Sequence, residues 1–290
     1  MMTNLTAALP RNKIIKRLVK QCLKEDIGSG DLTARLTPKK SQIDGKIISR
    51  EQGVVCGIAW VNEVFRRIGK QHNTKIDISW RVRDGDTVKP NQMLCRFEGF
   101  ARPVLSGERT ALNIMQTLSG TATTTAEYVS VIAHTKARLL DTRKTLPALR
   151  EAQKYAVLCG GGANHRIGLY DGIIIKENHL RSGRSLEKIV SDAITSVPVG
   201  TMVELEVENI EELKRGLAAG AKRIMLDDFS LEDMRSAVEL TDDKADLEAS
   251  GGVNLNTIVA IAETGVDFIS CGAITKHVTA LDLSMLFNYR

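Results

Sequence analysis

The chain has 290 residues, 43% of them hydrophobic and 26% charged, which describes one large or two ordinary globular domains and excludes a disordered chain. Aromatic residues make up only 4%, too few for a stacking platform that grips single-stranded nucleic acid, and no apolar run is long enough to span a bilayer. The net charge of +5 signals a mild preference for anions. Near the N-terminus, Ile14, Ile15, Leu18, Val19, Cys22 and Leu23 recur at helical spacing opposite Lys13, Lys16, Arg17 and Lys20. Such a stripe suits a helix packed on the body of the protein better than a membrane-surface or transit helix. Then come the turn-rich stretch from Glu25 to Asp31, a strand through Ile43, Gly45 and Ile47, and a returning strand at Val54–Cys56. Ile58–Ile68 has helical spacing, Ile76 to Val82 alternates as a strand, and a long helix is expected over Val104–His134.

Beyond this point short apolar strands alternate with helical patterns. The strands end near Leu140, Ile175, Val207, Leu226, Ala249 and Ser270, and helices such as Glu211–Ala219 and Leu255–Glu263 follow. Repeated strand–helix units imply a parallel sheet. Six units in about 150 residues are too few for the usual eight-unit barrel and fit a compact six-stranded α/β barrel or an incomplete barrel. A doubly wound sheet is disfavoured because no G-x-G-x-x-G follows the first of these strands. The expected division is an N-terminal α/β sandwich over 1–120 and a barrel over 121–290, with a C-terminal helix near 280–290 packing back on the first domain.

Chemistry in such barrels collects at the C-terminal ends of the strands. Here those ends read Asp141-Thr142-Arg143-Lys144, Lys176, Glu206, Asp227-Asp228, Ser250-Gly251-Gly252 and Cys271-Gly272-Ala273. Arg143, Lys144 and Lys176, joined by His165 and Arg166 of the Gly160–Arg166 loop, compose a cationic floor for carboxylates or phosphates. Ser250-Gly251-Gly252 and Cys271-Gly272-Ala273 each precede a helical pattern, so their backbone N–H groups suit a phosphate. Glu206 and Asp227 offer oxygens to Mg²⁺ or to sugar hydroxyls. Plainer readings stand beside these. Glu204, Glu206 and Glu208 alternate as one face of a strand that solvent would cover, and Lys176 suits a snorkelling or a Schiff-base lysine. His72, His134 and His277 read as structural, and His179 is left open. The five cysteines, Cys22, Cys56, Cys95, Cys159 and Cys271, form no C-x-x-C pair and no zinc cluster. They read as buried thiols, without disulfides, of a reducing compartment, the cytoplasm. The charge is also divided: the first 184 residues are basic and residues 201–290 acidic.

Several stretches resemble the quinolinate phosphoribosyltransferase family, also called carboxylating nicotinate-nucleotide pyrophosphorylases. They are Leu140-Asp-Thr-Arg-Lys-Thr145, Lys154–Arg166 with its Gly-Gly-Gly-Ala-Asn-His-Arg, Ile175-Lys-Glu-Asn-His179, Val203–Val207, Met225–Phe229 and Gly265–Ala273. Glu25–Thr33 and Glu108–Asn113 match as well, so the resemblance covers nearly the whole chain. It implies an N-terminal sandwich followed by a six-stranded barrel. It also implies transfer of phosphoribose from phosphoribosyl pyrophosphate to quinolinate with loss of CO₂, using Mg²⁺, in NAD synthesis. By resemblance Arg143, His165, Arg166 and Lys176 hold the two quinolinate carboxylates, with Thr142 beside them, and Arg109 arrives from the neighbouring subunit of a homodimer. Lys144 and Lys176 reach the phosphoribosyl pyrophosphate, Glu206 and Asp227 its ribose hydroxyls and Mg²⁺, and the Ser250 and Gly272 loops its 5′-phosphate. The catalytic set so implied is Lys144, Lys176, Glu206 and Asp227. Three residues depart from the family's usual pattern: Ala148 for glycine, Asp228 for asparagine and Gly252 for asparagine. A related transferase group associated with molybdate transport, a Schiff-base lyase and an anion- or nucleic-acid-binding module are the competing readings.

Overall fold

The computed structural model describes residues 5–180 and 183–290. In chain order the elements are α1 (Leu5–Ala8), α2 (Asn12–Ile27), β1 (Gln42–Ser49), β2 (Gly53–Val54), α3 (Ile58–Gln71), β3 (Asp77–Trp80), β4 (Thr87–Val88), β5 (Met93–Phe100) and α4 (Ala101–Val131). There follow β6 (Arg138–Leu140), α5 (Arg150–Cys159), β7 (Gly172–Ile175), α6 (Glu177–Leu180), α7 (Leu186–Ser196), β8 (Met202–Val207), α8 (Ile210–Ala218) and β9 (Arg223–Asp227). The chain closes with α9 (Leu231–Thr241), β10 (Asp246–Ser250), α10 (Ile258–Ala262), β11 (Phe268–Ser270), α11 (Ala273–Lys276) and β12 (Leu283–Tyr289). Two compact units result, and both are discontinuous in sequence. The first holds residues 1–126, 146–161 and 277–290, and the second holds 127–145 and 162–276.

The first unit is built on an antiparallel sheet of order β12-β1-β5-β3. Along β1 the alternating Ile43 and Ile47 are buried while Gln42 and Lys46 face solvent, the period of a half-buried strand. On α3, Trp60, Val61, Val64, Phe65 and Ile68 fall on one buried stripe. The basic N-terminal helix takes its plainer reading: α2 buries Ile15, Val19 and Leu23 in the same core. The segment expected as a C-terminal helix is instead β12, antiparallel to β1 from Ile43↔Tyr289 to Ser49↔Leu283. Its apolar residues Leu283 and Met285 alternate with exposed or half-exposed neighbours, which is strand periodicity.

The second unit is a wholly parallel sheet of order β6-β11-β10-β9-β8-β7, with connecting helices as predicted for an α/β barrel. Each observed strand ends within one residue of its sequence-predicted end. Beyond β6, Ala163 forms a parallel bridge with Leu140, its N–H donating to Leu139 and its carbonyl accepting from Asp141. The Gly160–Arg166 loop is thereby laid along the free edge of β6. Among the described residues no helix is long and apolar enough to cross a membrane.

Candidate active site

All six strands of the parallel sheet send residues to one cavity of about 450 Å³. Thr142, Arg143 and Lys144 come from beyond β6, Ile174 and Lys176 from β7 and its end, Glu206 from β8, Met225 and Asp227 from β9, Ser250 from β10 and Ser270 from β11. His165 and Arg166 complete the lining from the loop beside β6. Nine of the residues singled out in the sequence therefore share a single space. Six parallel strands can do this only if the sheet curls until their ends face one another.

Local hydrogen bonds explain why these side chains stand where they do. Asp141, fully buried, accepts from the His165 N–H at 2.9 Å and from Asn164 Nδ2 at 2.6 Å, pinning the Gly-rich loop to the β6 end. Thr142 Oγ1 accepts the Lys144 N–H at 3.0 Å, and Thr275 Oγ1 donates to the Lys144 carbonyl at 2.9 Å, so the turn bearing Arg143 is held on both sides. Lys176 N–H donates to Nδ1 of His179 at 3.0 Å, which resolves that histidine as a local cap. Lys176 Nζ pairs with Glu206, whose side chain is only 12% exposed. Arg166 donates from Nη1 to the Gly172 carbonyl at 2.8 Å. Its Nε is buried and has no hydrogen-bond partner among the described residues. Burial first, and then the nearby Arg143, pull the Arg166 guanidinium below its ordinary value. Cations crowded together with a donor left unpaired describe a site made for an anion.

Beneath the cavity lies a charged cluster that the sequence reading missed. His165 Nε2 lies 2.9 Å from Glu204 Oε2 and 3.5 Å from Glu248 Oε2. Arg223 bridges the two carboxylates, from Nε to Glu204 Oε1 at 2.9 Å and from Nη2 to Glu248 Oε2 at 2.6 Å, and stacks on the Phe268 ring at 4.3 Å. Glu204, expected on a solvated strand face, is fully buried: the alternation of Glu204 with Glu206 was real, and the shared face is the barrel interior. Burial and then the Glu204 charge push the Glu248 carboxyl up to about 7. Burial also opposes the Glu204 charge, but the hydrogen bond from His165 and the charges of His165 and Arg223 hold its carboxyl below the usual value. Among the described residues, His165, Glu204 and Glu248 are the one converging group of three side chains of metal-ligating type, and the Arg223 guanidinium already occupies it.

The remaining candidates lie outside the cavity lining. Arg109 is exposed on α4 of the first unit. Gly251 and Gly252 both adopt positive φ, 97° and 59°, and the chain after them turns until α10 begins at Ile258, so Ser250-Gly251-Gly252 does not open directly into a helix as expected. Cys271 is buried with Sγ donating to the Val253 carbonyl at 3.6 Å, which leaves only its backbone to a ligand. Gly272 stands where a Cβ would come within 2.8 Å of Lys144 Cδ, and α11 starts at Ala273.

Two family models match successive stretches of the chain. The model of the quinolinate phosphoribosyl transferase C-terminal domain matches residues 121–286, and that of the N-terminal domain matches residues 31–119. A probable carboxylating nicotinate-nucleotide pyrophosphorylase of Bacillus subtilis is 37% identical over 271 residues, covering 93% of this chain and 92% of its own. A mitochondrial decarboxylating quinolinate phosphoribosyltransferase of Nicotiana tabacum is 37% identical over 93% of this chain and 81% of its own. The solved nicotinate-nucleotide pyrophosphorylase of Francisella tularensis superposes with a TM-score of 0.92 at 47% identity, over 96% of this chain and 98% of that one.

Proposed function

Because the chain belongs to the quinolinate phosphoribosyl transferase family, we propose that it transfers phosphoribose from phosphoribosyl pyrophosphate to quinolinate with loss of CO₂. The products are nicotinate mononucleotide and pyrophosphate, and the reaction feeds NAD synthesis. The single observation that carries the substrate reading is the buried, unpartnered Nε of Arg166 in a cavity shared with Arg143, Lys144 and Lys176. A guanidinium already anchored by one nitrogen and lacking an acceptor on another is ready for a planar carboxylate. Arg143 and Arg166 take the quinolinate carboxylates, and Thr142 holds the turn that aims Arg143. His165, with both ring nitrogens engaged within the protein, supports the ring side of the pocket.

Lys144 and Lys176 face the pyrophosphate. Lys176 exchanges its Glu206 partner for substrate oxygens, which frees Glu206 for the ribose hydroxyls. As pyrophosphate leaves, positive charge grows on the ribose carbon, and the fixed carboxylates of Glu206 and Asp227 stabilise it. The pyridine nitrogen forms the new bond to that carbon. The bond to the 2-carboxylate then breaks, its electron pair is stabilised by the adjacent cationic ring nitrogen, and a proton from water completes nicotinate. The backbone of Ser250–Gly252 and of Cys271–Ala273 receives the 5′-phosphate. Glu206 and Asp227 end adjacent strands and offer two hard carboxylates, a set that suits Mg²⁺ held largely through substrate phosphates and water. Bound there, Mg²⁺ supplies neutralisation of the departing pyrophosphate. A Schiff-base role for Lys176 is disfavoured by the carboxylate beside its ammonium, since such lysines are activated in apolar or cationic surroundings.

The exposed Arg109 completes the carboxylate site from a second copy of the chain, which makes a homodimer the working unit. Five free cysteines fit a cytoplasmic enzyme. The test is formation of nicotinate mononucleotide and CO₂ from quinolinate, dependent on both phosphoribosyl pyrophosphate and Mg²⁺; no product with all three present refutes the proposal. Arg109→Ala and Lys176→Ala proteins are each expected to be inactive and to regain activity when mixed into heterodimers. Verified heterodimers without activity would refute the shared site.

A further inference from the structure

We propose that Glu204 is a positioning residue for the carboxylate-binding end of the cavity, acting through His165 on Arg166. The inference rests on the reading of that cavity as the quinolinate site. Its basis is a continuous chain of contacts from the barrel interior to the cavity wall. Arg223, stacked on Phe268 and bound to Glu248, fixes one oxygen of Glu204. The other oxygen of Glu204 lies 2.9 Å from Nε2 of His165. The opposite ring nitrogen, Nδ1, accepts the backbone N–H of Arg166 at 2.7 Å, so the hydrogen-bond pattern assigns Nε2–H as the donor to Glu204. Arg166 is the residue whose Nε is buried without a partner.

The arrangement is costly if it only fills space. Glu204 and Glu248 are fully buried, and Glu248 Oε1 has no hydrogen-bond partner among the described residues. Buried ionic groups are seldom worth more to stability than apolar residues of equal volume, so what they offer is a defined geometry. Here that geometry ends on the imidazole that seats the Arg166 backbone. The other face of the same loop is tied by Asp141 to the β6 end, so His165 is held from two sides, its ring by Glu204 and its backbone N–H by Asp141.

Glu204→Gln tests the idea, because an amide presents one acceptor where His165 and Arg223 require two. The expected result is a rise of about tenfold in KM for quinolinate, roughly the worth of one charge-assisted hydrogen bond, with KM for phosphoribosyl pyrophosphate within twofold of wild type. On a His165→Ala background the same substitution should add less than twofold, since its effect passes through the ring. An unchanged quinolinate KM, an equal rise for both substrates, or a full additive penalty in the double variant overturns the inference. Should Glu204→Gln fail to fold, Arg223→Lys serves instead, because a lysine keeps the charge but does not reproduce the guanidinium bridge between the two carboxylates. The same split between substrates is expected, and its absence overturns the inference. A wild-type protein that does not turn over quinolinate overturns the functional reading and this inference together; an active wild type with an unaffected variant overturns the inference alone.

Discussion

Replacing Arg166 by lysine is the most direct probe of the anion site. The substitution keeps one positive charge near the cavity and removes the forked donor set. In the structure Nη1 is committed to the Gly172 carbonyl at 2.8 Å, which fixes the plane of the guanidinium, and Nε is the buried donor without an acceptor. A carboxylate that accepts from Nε forms a charge-assisted hydrogen bond worth about 1.5–3 kcal/mol, and lysine on a flexible stem recovers only the monopole. The loss corresponds to roughly 10- to 150-fold in apparent affinity. Part of that cost is set before binding: burial and the proximity of Arg143 already strain the Arg166 charge, and the anion relieves it. Initial rates of nicotinate mononucleotide formation at saturating phosphoribosyl pyrophosphate, with quinolinate varied, give the comparison. The expected result is a quinolinate KM raised at least tenfold in Arg166→Lys and further in Arg166→Ala. A change below threefold with unchanged kcat would refute the assignment of this donor to a substrate carboxylate.

Other substitutions probe the scaffold. Gly251→Ala places a Cβ 1.9 Å from Asp228 Oδ1 at φ +97°, so it should cost at least about 1–2 kcal/mol and raise KM for phosphoribosyl pyrophosphate; an unshifted melt and KM would contradict this. Gly120→Ala drives a methyl to within 2.0 Å of the Thr279 carbonyl oxygen, a backbone atom with little room to move, and should lower stability by about 3 kcal/mol in denaturant titrations. Glu63 is held below the ordinary carboxylate range chiefly by the hydrogen bond from Arg66, with help from Arg67 and against burial. Its contribution is therefore present above the unfolded value of 4.5 and lost as pH falls through the depressed folded value. Glu63→Gln should melt lower than wild type at pH 7, with the two curves meeting in acid; a gap that persists below about pH 3 would contradict this.

Much of the cavity end of the parallel sheet was legible in the sequence because each strand there is an apolar run that stops at a charged or glycine-rich signal. Ile173-Ile174-Ile175 before Lys176 and Ile224-Met225-Leu226 before Asp227 announce both the strand and its working end. Glu204, Arg223 and Glu248 were not legible, because a charged residue inside a strand ordinarily marks the wet face and only the curling of the sheet turns that face inward. The C-terminal strand was misread for a related reason: Leu281, Leu283, Met285 and Phe287 alternate cleanly, but β1, the partner that makes a strand of them, lies more than two hundred residues away. The three departures from the family pattern share one physical property. Ala148, Asp228 and Gly252 have φ of 62°, 53° and 59°, all in the left-handed region. Glycine, asparagine and aspartate tolerate that region, so exchanges among them preserve the backbone path, and Ala148 alone carries a penalty, of about 1–2 kcal/mol.

The discontinuity of the first unit has a consequence for how the protein is made. Its sheet begins with β1, yet the strand that covers the outer edge of β1 is β12, made more than two hundred residues later. Between them the chain must be translated through the entire parallel sheet, and α5 must return to the first unit on the way. Domain-by-domain folding from the N-terminus is therefore unavailable to this chain. Until β12 emerges, β1 offers an open hydrogen-bonding edge of seven residues, Ile43 to Ser49, to any neighbouring nascent chain. The dangerous interval is the stretch of translation between β11 and β12, when the parallel sheet exists and the first sheet is still unfinished.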